Sequence, residues 1–179
     1  MNLRIIAGRF GGRMINASNS GLTHPMSERV RGSLFNIIGD EINGANILDV
    51  FAGSGSIGLE ALSRGANHAT FIESDRLANK IINENIEKVG AGKISKSIKA
   101  TVSNWIDENQ DKFFDIIFVD PPYNNLHLST VSKLYSLLKT NGIMVLSYPG
   151  RCELPTVYGV VVVDNRSYGT AALAFYRKK

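Results

Sequence analysis

The chain has 179 residues, of which 44% are apolar and 20% charged, enough for one well-buried globular domain and short for two. Its lone cysteine, Cys152, excludes an internal disulfide and a thiolate metal cage, and no run reaches the ~20 apolar residues of a membrane span or the apolar stretch of a signal peptide. The expectation is a monomeric, cytoplasmic, single domain over residues 1–179, with no metal site because His24, His68 and His127 are scattered. The net charge of +4 is unevenly placed: residues 1–31 hold Arg4, Arg9, Arg13, Arg29 and Arg31 against the single acid Glu28, and the remaining 148 residues balance. Five arginines on a neutral body suit docking of a polyanion, because guanidinium groups pair bidentately with phosphate. They equally suit a solvated surface hairpin.

The predicted elements begin with a hairpin. Arg4-Ile5-Ile6-Ala7 and Arg13-Met14-Ile15-Asn16 flank a glycine-rich turn from Gly8 to Gly12. After Pro25, Ser27 can cap a helix whose apolar positions Val30, Leu34, Ile37 and Ile38 recur at helical spacing, leaving Arg29 and Asn36 outside the stripe. From Ala45 the pattern changes. Short apolar runs, Asn46–Phe51, Ala69–Glu73, Ile94–Ala100, Asp115–Asp120 and Gly142–Leu146, alternate with amphipathic stretches near 56–64, 76–89, 102–110 and 127–139. Runs that are apolar throughout require both sheet faces to be covered, which is the signature of a parallel doubly wound α/β sheet. The end departs from that rhythm: Thr156–Val163 and Ala171–Tyr176 read as strands around the turn-rich Asp164–Gly169, so a terminal antiparallel hairpin is predicted.

Two motifs carry chemistry. The first core strand runs into Asp49-Val50-Phe51-Ala52-Gly53-Ser54-Gly55-Ser56-Ile57-Gly58, and Gly53 to Gly58 fits G-x-G-x-x-G in the strand-to-helix context that the motif requires. Glycines there allow a sharp turn and the close approach of a ligand to backbone amides. Glu73 ends the next strand 20 residues after Gly53, placed to accept hydrogen bonds from ribose hydroxyls. These features point to a nucleoside-bearing cofactor. Asp49 would repel a pyrophosphate but suits a ligand with an ammonium and a sulfonium, so S-adenosylmethionine is favoured over a dinucleotide; the same carboxylate could simply cap loop amides. Phe51, Ala52, Ser54 and Ser74 flank these positions, and Thr101 and Val102 follow the third strand, where an adenine would lie.

Asp120-Pro121-Pro122-Tyr123 sits at the carboxyl end of the fourth strand, on the rim of the same crevice. An exocyclic amine on a nucleobase is a poor nucleophile, so a catalyst must hold its nitrogen in line with a methyl donor and accept hydrogen bonds from its protons as charge develops. Asp120 and the Pro121 carbonyl can accept. Two prolines stiffen the backbone and donate nothing, and Tyr123 can stack on an extruded base. Trp105 is assigned to the core.

With these residues located, the chain resembles the RsmD-type small-subunit ribosomal RNA guanine-N2 methyltransferases over essentially its whole length. The resemblance rests on the two motifs and on Arg4-Ile5-Ile6-Ala7-Gly8 with Gly12-Arg13, Glu28-Arg29-Val30-Arg31 with Leu34-Phe35-Asn36-Ile37, Leu59–Ala66, and Tyr168-Gly169. It implies a class I, Rossmann-like, seven-stranded methyltransferase sheet with a C-terminal antiparallel hairpin. It also implies an RNA-docking extension over residues 1–40, a cofactor-binding core over 45–179, and 16S ribosomal RNA of the small subunit as substrate. Two departures stand out: His24-Pro25-Met26 replaces the family's usual Arg-Pro-Thr, and Ser147-Tyr148 stand where a glutamate is common. Three other readings stay open: an amino-methyltransferase for DNA adenine or protein glutamine, a nicotinamide-dependent oxidoreductase, and a non-catalytic RNA-binding assembly factor.

Overall fold

A computed structural model describes residues 2–18, 25–154, 156 and 158–179; His24 lies outside them. The chain forms β1 (Asn2–Arg4), β2 (Met14–Asn16), α1 (Glu28–Ile38), β3 (Asn46–Val50), α2 (Ser56–Ser63), β4 (His68–Glu73), α3 (Arg76–Val89) and β5 (Ser95–Lys99). It continues through α4 (Val102–Glu108), β6 (Phe114–Val119), α5 (Leu128–Leu134), β7 (Leu138–Pro149), β8 (Val160–Tyr168) and β9 (Ala171–Lys178). The main sheet has seven strands in the order β5-β4-β3-β6-β7-β9-β8, and β1 pairs with β2 in a separate ribbon. Strands β3 to β7 are parallel, while β9 is antiparallel to both β7 and β8, as the predicted sheet and terminal hairpin require. No helix among the described residues is long and apolar enough to cross a membrane.

The apolar strands are covered on both faces. Ile47, Phe71, Phe118, Val145 and Phe175 point into one cluster with residues of α1, α2, α3 and the N-terminal segment. Leu48, Val50, Ile72, Val119, Leu146 and Tyr176 point into the other, against Trp105 of α4 and Val131 and Leu134 of α5. Residues alternate between the clusters along each central strand, so neighbouring positions there are both buried, whereas the edge strand β5, Ser95–Lys99, is mostly polar and has no buried residue. Trp105 is core, as expected.

Several boundaries differ from the sequence reading. The first strand ends at Arg4 and does not run on to Ala7, because the Ile6 and Ala7 amides leave the ladder and donate to the carboxylate of Glu60, at 2.7 and 3.1 Å. Ser27 caps α1 by accepting from Val30 N–H, and Arg29 and Asn36 lie outside its buried stripe as expected. The stretch 127–139 is helical only to Leu137, and Leu138 already belongs to β7. Asp164–Tyr168, expected as a turn, is strand. It sits on the sheet's outer edge, where polar side chains face solvent, and the real turn narrows to Gly169 and Thr170 with Gly169 at φ 67°. A bulge between Val162 and Asp164 absorbs the change of register.

Candidate active site

Strand order reverses between β3 and β6, and the crevice at such a reversal is where open α/β sheets bind ligands. Val50 is in register with Val119, so the glycine loop after β3 and Asp120 after β6 leave the sheet side by side. Phe51 turns the chain with φ 58°, a costly value for a bulky side chain and one that clusters at ligand sites. Gly53 and Gly55 take φ 56° and 76°, which glycine alone adopts freely. Gly58 serves packing instead. A Cβ there would lie 2.3 Å from Cε1 of buried Phe71, so the residue lets α2 pack directly on β4.

Three cavities meet at this edge, and Asp120 lines all of them. The first, about 260 Å³, is walled by Phe51, Gly53, Glu73, Ser74, Thr101, Val102, Pro122 and His127. A narrow second one is bounded by Asp49, Ala52, Gly53 and Ser54 on one side and Pro25 and Met26 on the other. The third, about 390 Å³, lies between Met26, Ser27 and Val30 of the N-terminal segment and Pro121, Tyr123, Ser147, Tyr168 and Thr170. Every expected cofactor residue therefore faces the first two cavities except Gly55, which caps α2 and packs near Phe71 and Ile82. The Asp-Pro-Pro-Tyr run divides: Pro122 turns to the first cavity, Pro121 and Tyr123 to the third.

Asp49 is 1% exposed. Its Oδ2 accepts the Gly58 N–H at 2.9 Å, so it does cap the loop. Its Oδ1, also buried, has no partner among the described residues. Burial pushes its pKa well up, Gly58 N–H opposes the shift, and the charges of Asp120 and Glu73 add to it. An unsatisfied buried carboxylate oxygen beside a glycine loop fits the ammonium of a cofactor's amino-acid end. Glu73, expected to hold a ribose, braces the loop as well: Oε2 accepts Gly53 N–H and Oε1 accepts Asp75 N–H, each at 2.8 Å. Each carboxylate oxygen accepts twice, so capacity for ribose hydroxyls remains. Thr101 caps α4 by accepting from Asn104 N–H.

Burial raises the Asp120 pKa to about 6, and a hydrogen bond from Ser147 pulls it down. Tyr123 is 42% exposed, so its ring is available at the cavity mouth, and its hydroxyl lies 2.8 Å from Ser147 Oγ. The chemistry-bearing motifs do not include Ser147, Met26, Tyr168, Thr170 or His127, which the fold adds to the cavity walls. Tyr168, Met26 and Ser147 stand only within segments that carry the resemblance or depart from it. Nothing local marks His127, whose ring stacks on Phe51 at 5.3 Å.

The arginines divide too. Arg4, Arg9, Arg13 and Arg29 are exposed, with Arg4 paired to Glu28 and Arg9 and Arg13 over the Phe10 ring. Arg31, expected on the RNA-facing surface, is only 1% exposed. It donates to the carbonyls of Met26 and Arg4 and stands 3.8 Å from Glu60, so it is an internal brace and leaves the docking set.

The family described as conserved hypothetical protein 95 matches residues 3–177. The ribosomal RNA small subunit methyltransferase D of Haemophilus influenzae is 35% identical over 98% of this chain and 93% of its own. YlbH of Bacillus subtilis strain 168, a putative rRNA methyltransferase by name, is 32% identical over 99% and 100% of the two chains. The solved structure of yhhF from Escherichia coli superposes with a TM-score of 0.89 at 31% identity, covering 100% of this chain and 99% of that one. The chain belongs to the conserved hypothetical protein 95 family, that of the RsmD-type methyltransferases.

Proposed function

We propose that this methyltransferase acts on the exocyclic N2 amine of a guanine in small-subunit ribosomal RNA, with S-adenosylmethionine as donor. The observation that carries the reading is the position of Asp120 on all three cavities, where a donor and an acceptor would meet. When bound, the cofactor would supply an electrophilic methyl on a sulfonium. Asp49 Oδ1 would take its ammonium and Glu73 its ribose, with Ser74, Thr101, Val102 and His127 lining the space for adenine. The target base would enter the larger cavity, its amine donating to Asp120 and the Pro121 carbonyl while the Tyr123 ring stacks on it. Arg4, Arg9, Arg13 and Arg29 would hold phosphates of the surrounding RNA. The relatives' names support ribosomal RNA as the substrate class. A nicotinamide enzyme fares worse, because a pyrophosphate would face buried Asp49.

The test has two arms. Calorimetry should show S-adenosylmethionine and S-adenosylhomocysteine binding and no NADH binding. Incubation of purified small subunits, free RNA, DNA and protein with tritiated cofactor should label RNA, and digestion should yield N2-methylguanosine. Label in DNA adenine or in protein glutamine would reject the substrate, and RNA binding without any transfer would favour the assembly-factor reading.

A further inference from the structure

Ser147 is a buried hydroxyl in the wall of the larger cavity, 3% exposed. The β6–β7 register pairs Val119 with Leu146, which sets Ser147 directly beside Asp120. Its hydroxyl stands beside the Asp120 carboxylate and holds that group's pKa down, and its Oγ lies 2.8 Å from the Tyr123 hydroxyl. A hydroxyl has one proton to give and can also accept. With Ser147 donating to the carboxylate, Tyr123 must donate to Ser147, which orders a chain from the exposed Tyr123 through Ser147 to Asp120. No lysine or arginine lines any of the three cavities among the described residues. The titratable groups that share their walls with Asp120 are Asp49, Glu73, Asp75, Tyr123, His127 and Tyr168. Within the chain itself, therefore, the ionised form of Asp120 draws its help from the Ser147 hydroxyl.

We infer that Ser147 and Tyr123 form the path by which a proton taken up by Asp120 leaves the site. The inference rests on the amine-methylation reading above. Methyl transfer forms the N2–carbon bond and breaks the carbon–sulfur bond, with the electron pair staying on sulfur. The methylated amine then carries a positive charge and gives one proton to Asp120. The two hydroxyls first turn, Ser147 toward Tyr123 Oη and Tyr123 toward water; Asp120 then passes its proton to Ser147 Oγ, the Ser147 proton moves to Tyr123 Oη and the Tyr123 proton goes to water, which restores the order in which Tyr123 donates to Ser147 and Ser147 to Asp120. The carboxylate returns ionised, both hydroxyls are restored, and one proton has reached solvent. Ser147 is thus a positioning residue that acts through Asp120, and the Tyr123 hydroxyl has a role separate from stacking by its ring.

The experiment needs Ser147→Ala, Ser147→Thr and Tyr123→Phe in the full chain. In the cofactor-free protein, carboxyl carbon NMR should place the Asp120 midpoint higher in Ser147→Ala than in the wild type, and Ser147→Thr should bring it back. In multiple turnover at pH 7, where Asp120 must be ionised again before each cycle, Ser147→Ala and Tyr123→Phe should each lower kcat about tenfold with the KM for RNA unchanged. Tyr123→Phe keeps the ring, so a loss there isolates the hydroxyl. An unmoved Asp120 midpoint in Ser147→Ala, or a wild-type rate in Tyr123→Phe, overturns the relay. Should the wild type yield no N2-methylguanosine, the functional reading fails while the NMR titration still decides whether Ser147 governs Asp120.

Discussion

Glu60 is the most consequential buried charge outside the cleft. It is 0% exposed, and four groups converge on it. Oε2 takes Ile6 N–H at 2.7 Å, Oε1 takes Ala7 N–H at 3.1 Å and Arg64 Nε at 2.7 Å, and Arg31 Nε stands at 3.8 Å. Burial pushes the Arg31 pKa down while Glu60 and Glu28 pull it back up. Glu60→Gln keeps the shape but removes the negative charge and turns an amide donor toward existing donors. Breaking one side of a buried pair costs about 3–5 kcal/mol. For a domain of this size that lowers Tm by about 6–20 °C, at about 2–4 °C per kcal/mol. Differential scanning calorimetry should show the drop. A Glu60→Gln protein melting within about 2 °C of the wild type, well below the span expected for a lost buried pair, would refute this reasoning.

Other predictions concern the cleft and the arginines. Asp49→Asn keeps an acceptor for Gly58 N–H but loses the charge. S-adenosylmethionine Kd measured by calorimetry should rise about 10- to 100-fold, whereas the Tm of the cofactor-free protein should stay level or increase because a desolvated carboxylate is removed. Asp120→Asn should abolish transfer yet leave cofactor Kd unchanged, and wild-type transfer should fall as pH drops through about 6, where Asp120 protonates. The stability effect runs the other way. The folded pKa of Asp120 is raised, so its contribution is complete below the unfolded carboxylate range and is lost as pH rises through about 6. Urea midpoints at pH 5 and 7.5 should therefore show Asp120→Asn gaining on the wild type at the higher pH. With four surface arginines on phosphates, log affinity for RNA should fall with log salt at a slope of about −3, and Arg9→Ala or Arg29→Ala should each reduce it by about 0.7.

What was legible in the sequence was what is local. The glycine loop, Asp49, Glu73 and Asp120-Pro121-Pro122-Tyr123 each sit at a strand end, and strand ends announce themselves by an apolar run giving way to turn residues. Their meeting follows from the parallel order of β3, β4 and β6. The facing wall of the cleft was not legible, because Met26, Ser147, Tyr168 and Thr170 are joined only by the fold, and no periodicity encodes contacts across more than a hundred residues. Arg31 is a different case. Two residues on from Arg29, it lies about 200° round the helix, at i with Leu34, Phe35 and Ile38 at i+3, i+4 and i+7, so the spacing already puts it on the buried face, and the distant Glu60 supplies the charge it stands beside. Asp164–Tyr168 differs for another reason: turn-type composition also suits an exposed edge strand, where Asn165 finds its partner in the Tyr148 hydroxyl.

The basic N-terminal segment has a structural side that its charge conceals. Leu3, Ile5, Phe10 and Ile15 are buried in the same cluster as α2 and α3. Asn85 of α3 holds the backbone of Asn16 at both its N–H and carbonyl, and also donates to the carbonyl of Ser54 in the glycine loop. Ser63 of α2 accepts Phe10 N–H and donates to the Ala7 carbonyl. The surface carrying Arg4, Arg9, Arg13 and Arg29 is thus tied to the two helices that flank the glycine loop. Removing residues 1–20 to test RNA docking would strip part of the core and take from Glu60, Ser63 and Asn85 the backbone groups they hold, so point substitutions at the surface arginines are the sound probe. On the proposed reading, RNA docked on those arginines would also be held at a set position relative to Asp120, which in-line transfer from donor to acceptor requires.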